Sequence, residues 1–267
     1  MMTDPGPEQA SANIGEQLES PYTRIRYAGE KALHRLLPIA QGDGIQNQVV
    51  RSLLLGCYNG QDFPIDPASL RVLKRSVMED CIALLLMDSA PAMEVHQYVE
   101  NGSSVFNGMA ERWQPPSRIQ MQIPTSEDET SEVLRTLGKK SLQHLIAVAQ
   151  GFSGQCRHIA RFLVGCYDGC RYPFDSTRFR CIDHDLFLEC IAVIRLLYET
   201  RHGIDKNILE GASVFNRLIQ DWSIERRRQK LSATPDLSGT VLPLCLIPNS
   251  ALKSAPPFKS VVPKASA

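Results

Sequence analysis

The chain contains 267 residues, with 29 basic and 29 acidic side chains and a formal net charge of zero. This balance gives no whole-protein field that would draw the chain to nucleic acid or an anionic membrane, and no apolar run reaches the roughly 18 residues of a membrane helix. The first 20 residues lack a basic start and an apolar core, so we expect no secretory signal, a cytoplasmic location and no membrane partner.

An internal duplication organises the sequence. Residues 31–113 align without a gap to residues 140–222, and 24 of the 83 aligned positions are identical. We call the two copies repeat 1 and repeat 2; they predict two examples of one fold. A residue kept in both copies is expected to serve the fold. A specific function should depend on residues that only one copy carries.

Capping residues in the sequence predict where the first two helices of each repeat begin and end. Ser20 and Pro21 provide an N-cap and a first helical position, and the helix should stop near Gly42. The corresponding helix of repeat 2 should begin with Ser126 and Glu129 in capping-box register. The second helix ends at glycine in both repeats, and we expect these glycines to adopt the left-handed conformation of a helix C-terminus; they are Gly60 and Gly169.

A turn and two further helices complete each repeat. Asp66 and Asp175 follow a proline turn and are expected to cap a short helical segment. The third helix of repeat 1 carries a capping-box pattern in Ser76 and Glu79. The last helix runs to a tryptophan in both repeats. Apolar residues recur at intervals of three and four throughout, so the predicted fold class is all-α, with two tandem, pseudo-equivalent four-helix domains.

Five segments follow from this pattern. We predict a disordered leader at residues 1–20, repeat domain 1 at 21–113, a proline-containing linker at 114–125, repeat domain 2 at 126–230, and a disordered tail at 231–267. The end of domain 2 is basic and is expected to continue the last helix. The sequence does not determine the oligomeric state or how the two repeats pack. One possible arrangement relates the two repeats by a local twofold axis.

The motifs of repeat 2 resemble those of a known family. They are Gly165-Cys166-Tyr167-Asp168-Gly169, then Tyr172-Pro173-Phe174-Asp175, then Ile182-Asp183, and Phe215 leading to Asp221-Trp222. The family consists of uncharacterised small helical proteins carried by proteobacterial plasmids, prophages and integrative conjugative elements, and here it occurs in two tandem copies. The resemblance implies an accessory protein of a mobile element or its host, not a metabolic enzyme, and carries over no catalytic residues. Repeat 1 departs from the pattern with Lys74 in place of Asp183.

Cysteines and histidines of repeat 2 suggest one chemical alternative. Cys181 and His184 have zinc-like spacing, as do Cys166 and Cys170, and further candidates are Cys156, His158 and Cys190. Two of these cysteines recur in repeat 1 as Cys57 and Cys81 on apolar helix faces, where a thiol behaves as a small hydrophobe. We therefore expect core and surface cysteines and no bound metal or cofactor. A zinc- or thiol-dependent enzyme remains an alternative.

Two segments near the end of the chain are candidate binding sites. A C-terminal basic segment could neutralise phosphates of a nucleic acid; its members are Arg226, Arg227, Arg228 and Lys230. A short apolar patch in the tail could dock on a partner; its members are Val241, Leu242, Leu244, Leu246 and Ile247. The aromatic residues shared by both repeats, Tyr58 and Tyr167, Phe106 and Phe215, and Trp113 and Trp222, are expected to form core.

These observations favour a non-enzymatic interaction protein, an adaptor or accessory protein whose partner is another protein. No glycine-rich phosphate loop or nucleophile elbow is present. The second hypothesis is a nucleic-acid-associated accessory or regulatory protein that uses residues 226–230. The third is the zinc- or thiol-dependent enzyme centred on repeat 2.

Overall fold

A computed structural model describes residues 20–115, 129–200 and 202–227. Repeat 1 contains four α-helices, α1 (Pro21–Gln41), α2 (Ile45–Asn59), α3 (Arg75–Ser89) and α4 (Gly102–Glu111), with the 3₁₀ helices η1 (Pro67–Val72) and η2 (Val95–Tyr98). Repeat 2 contains α5 (Glu129–Ala149), α6 (Gly154–Asp168), α7 (His184–Glu199) and α8 (Gly211–Asp221), with η3 (Ser176–Cys181) and η4 (Ile204–Asn207). The prediction of two four-helix repeats is confirmed. The leader, most of the linker and the tail predicted from the sequence lie outside the described residues.

Local signals in the sequence set several helix ends as expected. The Ser20 hydroxyl accepts the N–H of Thr23 at 3.2 Å, and α1 begins at Pro21. The Asp66 carboxylate accepts the N–H of Ala68 at 2.9 Å, which starts η1. Asp175 does the same for η3 through Thr177. The position of Ser126 lies outside the described residues.

The expected capping box of α3 is wrong. Ser76 lies inside the helix, which begins at Arg75 after Lys74 in extended conformation. The N–H of Lys74 is held by the side-chain oxygen of Gln46 at 3.1 Å. Gln155 holds the N–H of Asp183 in the same way at 2.8 Å. A side chain on the preceding helix therefore anchors the start of the third helix in both repeats.

The two repeats exchange their 3₁₀ segments. Within each repeat the first helix packs along the third, α1 on α3 and α5 on α7. The segment η1 of repeat 1, however, contacts α6 and α7 of repeat 2, and η3 contacts α2 and α3 of repeat 1. Buried side chains of both repeats consequently form one continuous hydrophobic core.

A local twofold axis relates the repeats. Ile65 and Phe174 occupy the same position in the two copies, and they form an isolated antiparallel bridge with each other. The Ile65 N–H donates to the Phe174 carbonyl at 2.8 Å, and the Phe174 N–H donates to the Ile65 carbonyl at 2.7 Å. A residue that pairs with its own counterpart must lie beside the axis.

The expected left-handed glycines at the ends of α2 and α6 are wrong. Gly60 and Gly169 both have right-handed helical backbone angles, with φ of −68° and −65°. The absence of a side chain at these glycines lets the 3₁₀ segment of the opposite repeat pack closely. A Cβ at Gly60 would overlap the Asp175 carboxylate, and one at Gly169 would overlap Asp66. Each glycine thus admits the cap residue of the opposite repeat.

The chain after α8 does not continue as a helix, contrary to expectation. α8 ends at Asp221, and Ser223 takes a positive φ of 47°, which reverses the backbone. The N–H of Ile224 then returns to the carbonyl of Ile219 at 2.9 Å, as in a Schellman motif. No helix among the described residues is long and apolar enough to cross a membrane.

Candidate anion-binding site

Three arginines and a histidine of repeat 2 lie together on α6 and η3. Arg157 and Arg161 lie one turn apart on α6, and His158 follows Arg157 directly. Ser153 caps this helix by accepting the N–H of Cys156. Arg178 comes from η3 and is positioned beside them by the Asp175 cap. We call Arg157, His158, Arg161 and Arg178 the basic cluster. Arg157 is exposed and the other three are half-buried.

The members of the basic cluster repel one another. Burial lowers the pKa of the His158 imidazole, and the charges of the three arginines lower it further. The pKa of Arg161 is lowered by burial and then by neighbouring arginines, of which Arg178 acts most strongly. The carboxylates of Asp175 and Glu225 oppose the shift of Arg161 without reversing it. The face therefore carries a positive potential that favours an anion.

Several buried nitrogen atoms of the cluster lack hydrogen-bond partners. His158 Nδ1 and Arg161 Nε are buried and form no hydrogen bond within the described part of the chain. Arg178 Nε lies 3.1 Å from Asp175 Oδ2, which is an ion pair by distance, but the N–H direction does not form a hydrogen bond. Buried polar groups in folded proteins are normally satisfied, so this deficit indicates a place for an acceptor.

Repeat 1 serves as an internal control for this face. The four cluster positions are occupied there by uncharged residues, Gln48, Val49, Ser52 and Ser69. Both repeats fold alike, so the fold does not require cations at these positions. The basic cluster occurs in repeat 2 and not in repeat 1, which is the property expected of a functional site.

The C-terminal arginines predicted to bind nucleic acid are partly engaged within the protein. Arg226 Nε donates to the Tyr172 hydroxyl at 2.9 Å. The Arg227 guanidinium lies 5.2 Å from the centre of the Trp113 ring, and its backbone N–H donates to the Arg171 carbonyl at 2.7 Å. The remaining predicted residues lie outside the described part and stay predictions; they are Arg228, Lys230, Val241, Leu242, Leu244, Leu246 and Ile247.

The candidate zinc ligands of repeat 2 do not assemble in the described residues, where no group of three His, Cys, Asp or Glu side chains could hold a metal ion. Cys181 is exposed, and the Cys156 sulfur lies 3.0 Å from the Ser153 hydroxyl. Burial raises the pKa of the Cys166 and Cys190 thiols, which disfavours the thiolate that nucleophilic or metal chemistry needs.

The shared aromatic residues form core, as predicted. The rings of Tyr58 and Phe106 lie 5.2 Å apart in repeat 1, and those of Tyr167 and Phe215 stack at 4.8 Å in repeat 2. Both phenylalanines are fully buried. These residues pack in or against the hydrophobic core of both repeats.

Sequence reasoning considered His158 only for the metal or thiol chemistry of repeat 2 and missed the basic cluster. A signal was present, because Arg157 and Arg161 are four residues apart and therefore share a helix face. The alignment of the two repeats also shows that these positions carry arginines in repeat 2 and uncharged residues in repeat 1. The contribution of Arg178, 17 residues beyond Arg161 in the sequence, required the fold.

Comparison with known proteins agrees with the two-repeat architecture. A family of unknown function (DUF7673) matches residues 30–114 and again residues 139–223. The chain belongs to this family. The two DUF7673 segments coincide with the two repeats, which confirms that an uncharacterised domain occurs here in tandem. No curated protein and no solved structure matches the sequence.

Proposed function

We propose that this DUF7673 protein is a non-enzymatic binding protein, an adaptor or accessory protein in which repeat 2 holds an acidic segment of a partner protein. The observation that carries the proposal is the basic cluster, whose buried atoms Arg161 Nε and His158 Nδ1 have no hydrogen-bond partner in the described residues. Repeat 1 keeps the same fold without these cations and completes the scaffold.

The charge distribution favours a short acidic segment over a long nucleic-acid tract. The cluster holds three cationic guanidinium groups and one imidazole on one side of α6 and η3, in a chain whose formal net charge is zero. A dedicated nucleic-acid binder usually presents a long basic stripe and a high isoelectric point. The isoelectric point of this sequence is about 7.0. Carboxylates of a few Asp or Glu side chains could instead accept the unpaired N–H groups through charge-assisted hydrogen bonds.

Repeat 1 supplies the substitutions for a direct test. In the test variant, each arginine of the cluster takes the residue of the aligned position: Arg157→Gln, Arg161→Ser and Arg178→Ser. A control variant removes three exposed charges elsewhere: Arg24→Gln, Lys139→Gln and Arg217→Gln. Fluorescence anisotropy of a labelled Glu/Asp-rich peptide measures affinity for the full-length chain and both variants.

The two variants should differ clearly in their affinity for the acidic peptide. We expect the test variant to bind the peptide at least about tenfold more weakly than wild type, because even one charge-assisted hydrogen bond contributes about 1.5 kcal/mol or more. The control should change affinity less than about threefold, as exposed charges act weakly. Equal losses in the two variants would contradict the proposal.

Nucleic acid is the competing outcome. Labelled duplex DNA and RNA are measured at about 50 and 200 mM salt, where phosphate binding weakens steeply. Tighter binding of either nucleic acid than of the acidic peptide, lost in the test variant, would replace the protein partner by a nucleic acid. The hypothesis that residues 226–230 contribute predicts a further loss when these residues are removed.

The resemblance to proteins of plasmids, prophages and conjugative elements adds a biological setting to the proposal. In that setting the chain is an accessory protein of a mobile element, and its acidic partner is encoded nearby. Sequencing of the flanking DNA checks this, since a gene surrounded by housekeeping genes in every occurrence would contradict it.

A further inference from the structure

The third helices of the two repeats meet at two related places. One, which we call junction 1, lies between the end of α3 and the start of α7; the other, junction 2, lies between the end of α7 and the start of α3. Beside junction 1, the Arg180 guanidinium donates to Asp88 Oδ1 at 2.7 Å and to Glu94 Oε2 at 3.2 Å. The counterpart of Arg180 in repeat 1 is Arg71, and the positions of the two acids hold uncharged residues in repeat 2, Leu197 and Gly203. Equivalent positions at the two junctions therefore carry different side chains.

Large side chains fill junction 2. The Tyr198 hydroxyl donates to the Leu73 carbonyl at 3.2 Å, which fixes the position of the ring. The Arg75 guanidinium lies 5.5 Å from the centre of that ring and donates to Glu199 Oε1 at 2.8 Å. The Glu199 side chain is only 4% exposed. An aromatic ring and a carboxylate therefore occupy the space between the end of α7 and the start of α3.

Junction 1 lacks these side chains. The aligned residues are smaller, with serine in place of the tyrosine, alanine in place of the glutamate and histidine in place of the arginine; they are Ser89, Ala90 and His184. A cavity of about 120 Å³ lies here, and all three residues line it. The aligned residues supply neither a ring nor a carboxylate from α3, so the space that these groups occupy at junction 2 is left open at junction 1.

The lining of this cavity suits an aromatic ring. Ile25, Leu86 and Met87 contribute apolar side chains, and a methionine sulfur makes favourable contacts with aromatic rings. Arg26 and His184 also line the cavity and are exposed, so it opens to solvent. An apolar cavity of about 150 Å³ suffices to bind benzene. The cavity at junction 1 is slightly smaller, but its open side gives a single ring further room.

We propose that the cavity at junction 1 binds a small phenol, whose ring takes the place that the Tyr198 ring has at junction 2. The Ser89 hydroxyl donates to the Leu86 carbonyl at 2.9 Å, so its oxygen can accept a hydrogen bond from the hydroxyl group of the ligand. The site extends beyond the binding function proposed above, because no residue of the basic cluster lines this cavity.

Calorimetric titration of the full-length protein with phenol tests this site. We expect a dissociation constant of about 1 mM or lower. The Ser89→Tyr variant places in the cavity the residue that repeat 2 uses, and it should bind phenol at least about tenfold more weakly than wild type. The control variant Ser104→Tyr adds the same side chain on an exposed face of α4 and should change the affinity less than about twofold.

A second variant and a second ligand complete the test. Ala90→Leu fills the cavity from a position just beyond α3 and should also lose phenol binding, so the test does not depend on the folding of Ser89→Tyr. N-acetyl-tyrosinamide represents a tyrosine of a partner protein and should bind more weakly than phenol, because its amide groups need room outside the cavity.

Four results would overturn the proposal. They are no binding of phenol to wild type at about 10 mM, undiminished binding by a folded variant with either cavity substitution, equal losses in the two tyrosine variants, and tighter binding of N-acetyl-tyrosinamide than of phenol. The last result would assign the cavity to a tyrosine side chain of a partner protein.

Discussion

At the scale of single residues, the carbonyl near the end of the first helix is satisfied differently in the two repeats. The Ala40 carbonyl accepts from Arg51 Nε at 2.8 Å, whereas the Ala149 carbonyl accepts from Trp222 Nε1 at 2.7 Å. Trp113 occupies the position of Trp222 in repeat 1, but its Nε1 is buried and forms no hydrogen bond to any described residue. The identical tryptophans therefore have different polar roles.

This difference predicts unequal effects of one substitution. Trp222→Phe should lower the free energy of unfolding by about 1–3 kcal/mol more than Trp113→Phe, because only the former leaves a carbonyl without its donor. Urea denaturation of the two variants measures the difference, and each serves as the control for the other. Equal losses would show that Trp222 contributes only through its apolar surface.

Asp66 predicts an unusual dependence of stability on pH. Burial raises the pKa of Asp66 from 3.8 to about 6, and the hydrogen bond from Ala68 only partly offsets this. The folded protein thus holds this proton more tightly than the unfolded chain does. The contribution of Asp66 to stability consequently improves as the pH falls through about 6 toward 3.8, and it is least favourable above about pH 6.

Asp66→Asn isolates that contribution, since asparagine keeps the cap and cannot ionise. The difference in unfolding free energy between variant and wild type should shift by about 2 kcal/mol in favour of wild type between about pH 7.5 and 4.5. Other raised groups, such as Asp88, titrate in both proteins and cancel in the difference. Parallel pH profiles of the two proteins would contradict the raised pKa of Asp66.

At the scale of elements, the exchanged segment η3 is fixed by the contact between Arg180 and Asp88. Asp88 is 3% exposed, and burial raises its pKa while Arg180 counteracts the rise. Removing one partner of a buried ion pair leaves an uncompensated charge. Arg180→Met should therefore destabilise the protein by about 3–5 kcal/mol.

The double variant Arg180→Met/Asp88→Leu should recover most of that loss, because leucine is the residue at the aligned position 197 of repeat 2. A double-mutant cycle measured by chemical denaturation gives the coupling energy. Additive losses in the cycle would mean that the two side chains do not stabilise each other. Glu94 is left in place throughout, since nearly half of its side chain is exposed.

The elements could be predicted from the sequence, whereas their exchange could not. The apolar periodicity of α1 to α8 and the caps at Ser20, Asp66 and Asp175 depend on neighbours within a few residues, and these predictions are confirmed. Gly60 and Gly169 were wrongly expected to be left-handed, because their actual role, the close approach of Asp175 and Asp66, involves residues about 110 positions away. The part of the basic cluster that required the fold is Arg178, because it joins Arg157 and Arg161 only through η3.

At the scale of the whole molecule, the described repeats form one folding unit. The pairing of Ile65 with Phe174 and the insertion of each 3₁₀ segment between helices of the other repeat leave neither core closed on its own. Ion pairs strengthen the boundary, as Arg195 binds both oxygens of Glu79 at 2.7 Å and Arg75 binds Glu199 at 2.8 Å. The two repeats are therefore expected to unfold in a single cooperative transition.

The twofold relation predicts that an isolated repeat 1 will pair with itself. Residues 20–115 carry both Arg71 and the acids Asp88 and Glu94, so in a homodimer each arginine would meet the two carboxylates of the other copy. Residues 129–227 would place Arg180 opposite Leu197 and Gly203, without a carboxylate. We expect sedimentation equilibrium to show a helical dimer of repeat 1 that is at least about tenfold tighter than any dimer of repeat 2, since a buried arginine without a partner costs well over 1.4 kcal/mol. A folded monomer of repeat 1 would contradict the prediction, because its core would then close without the exchanged segment.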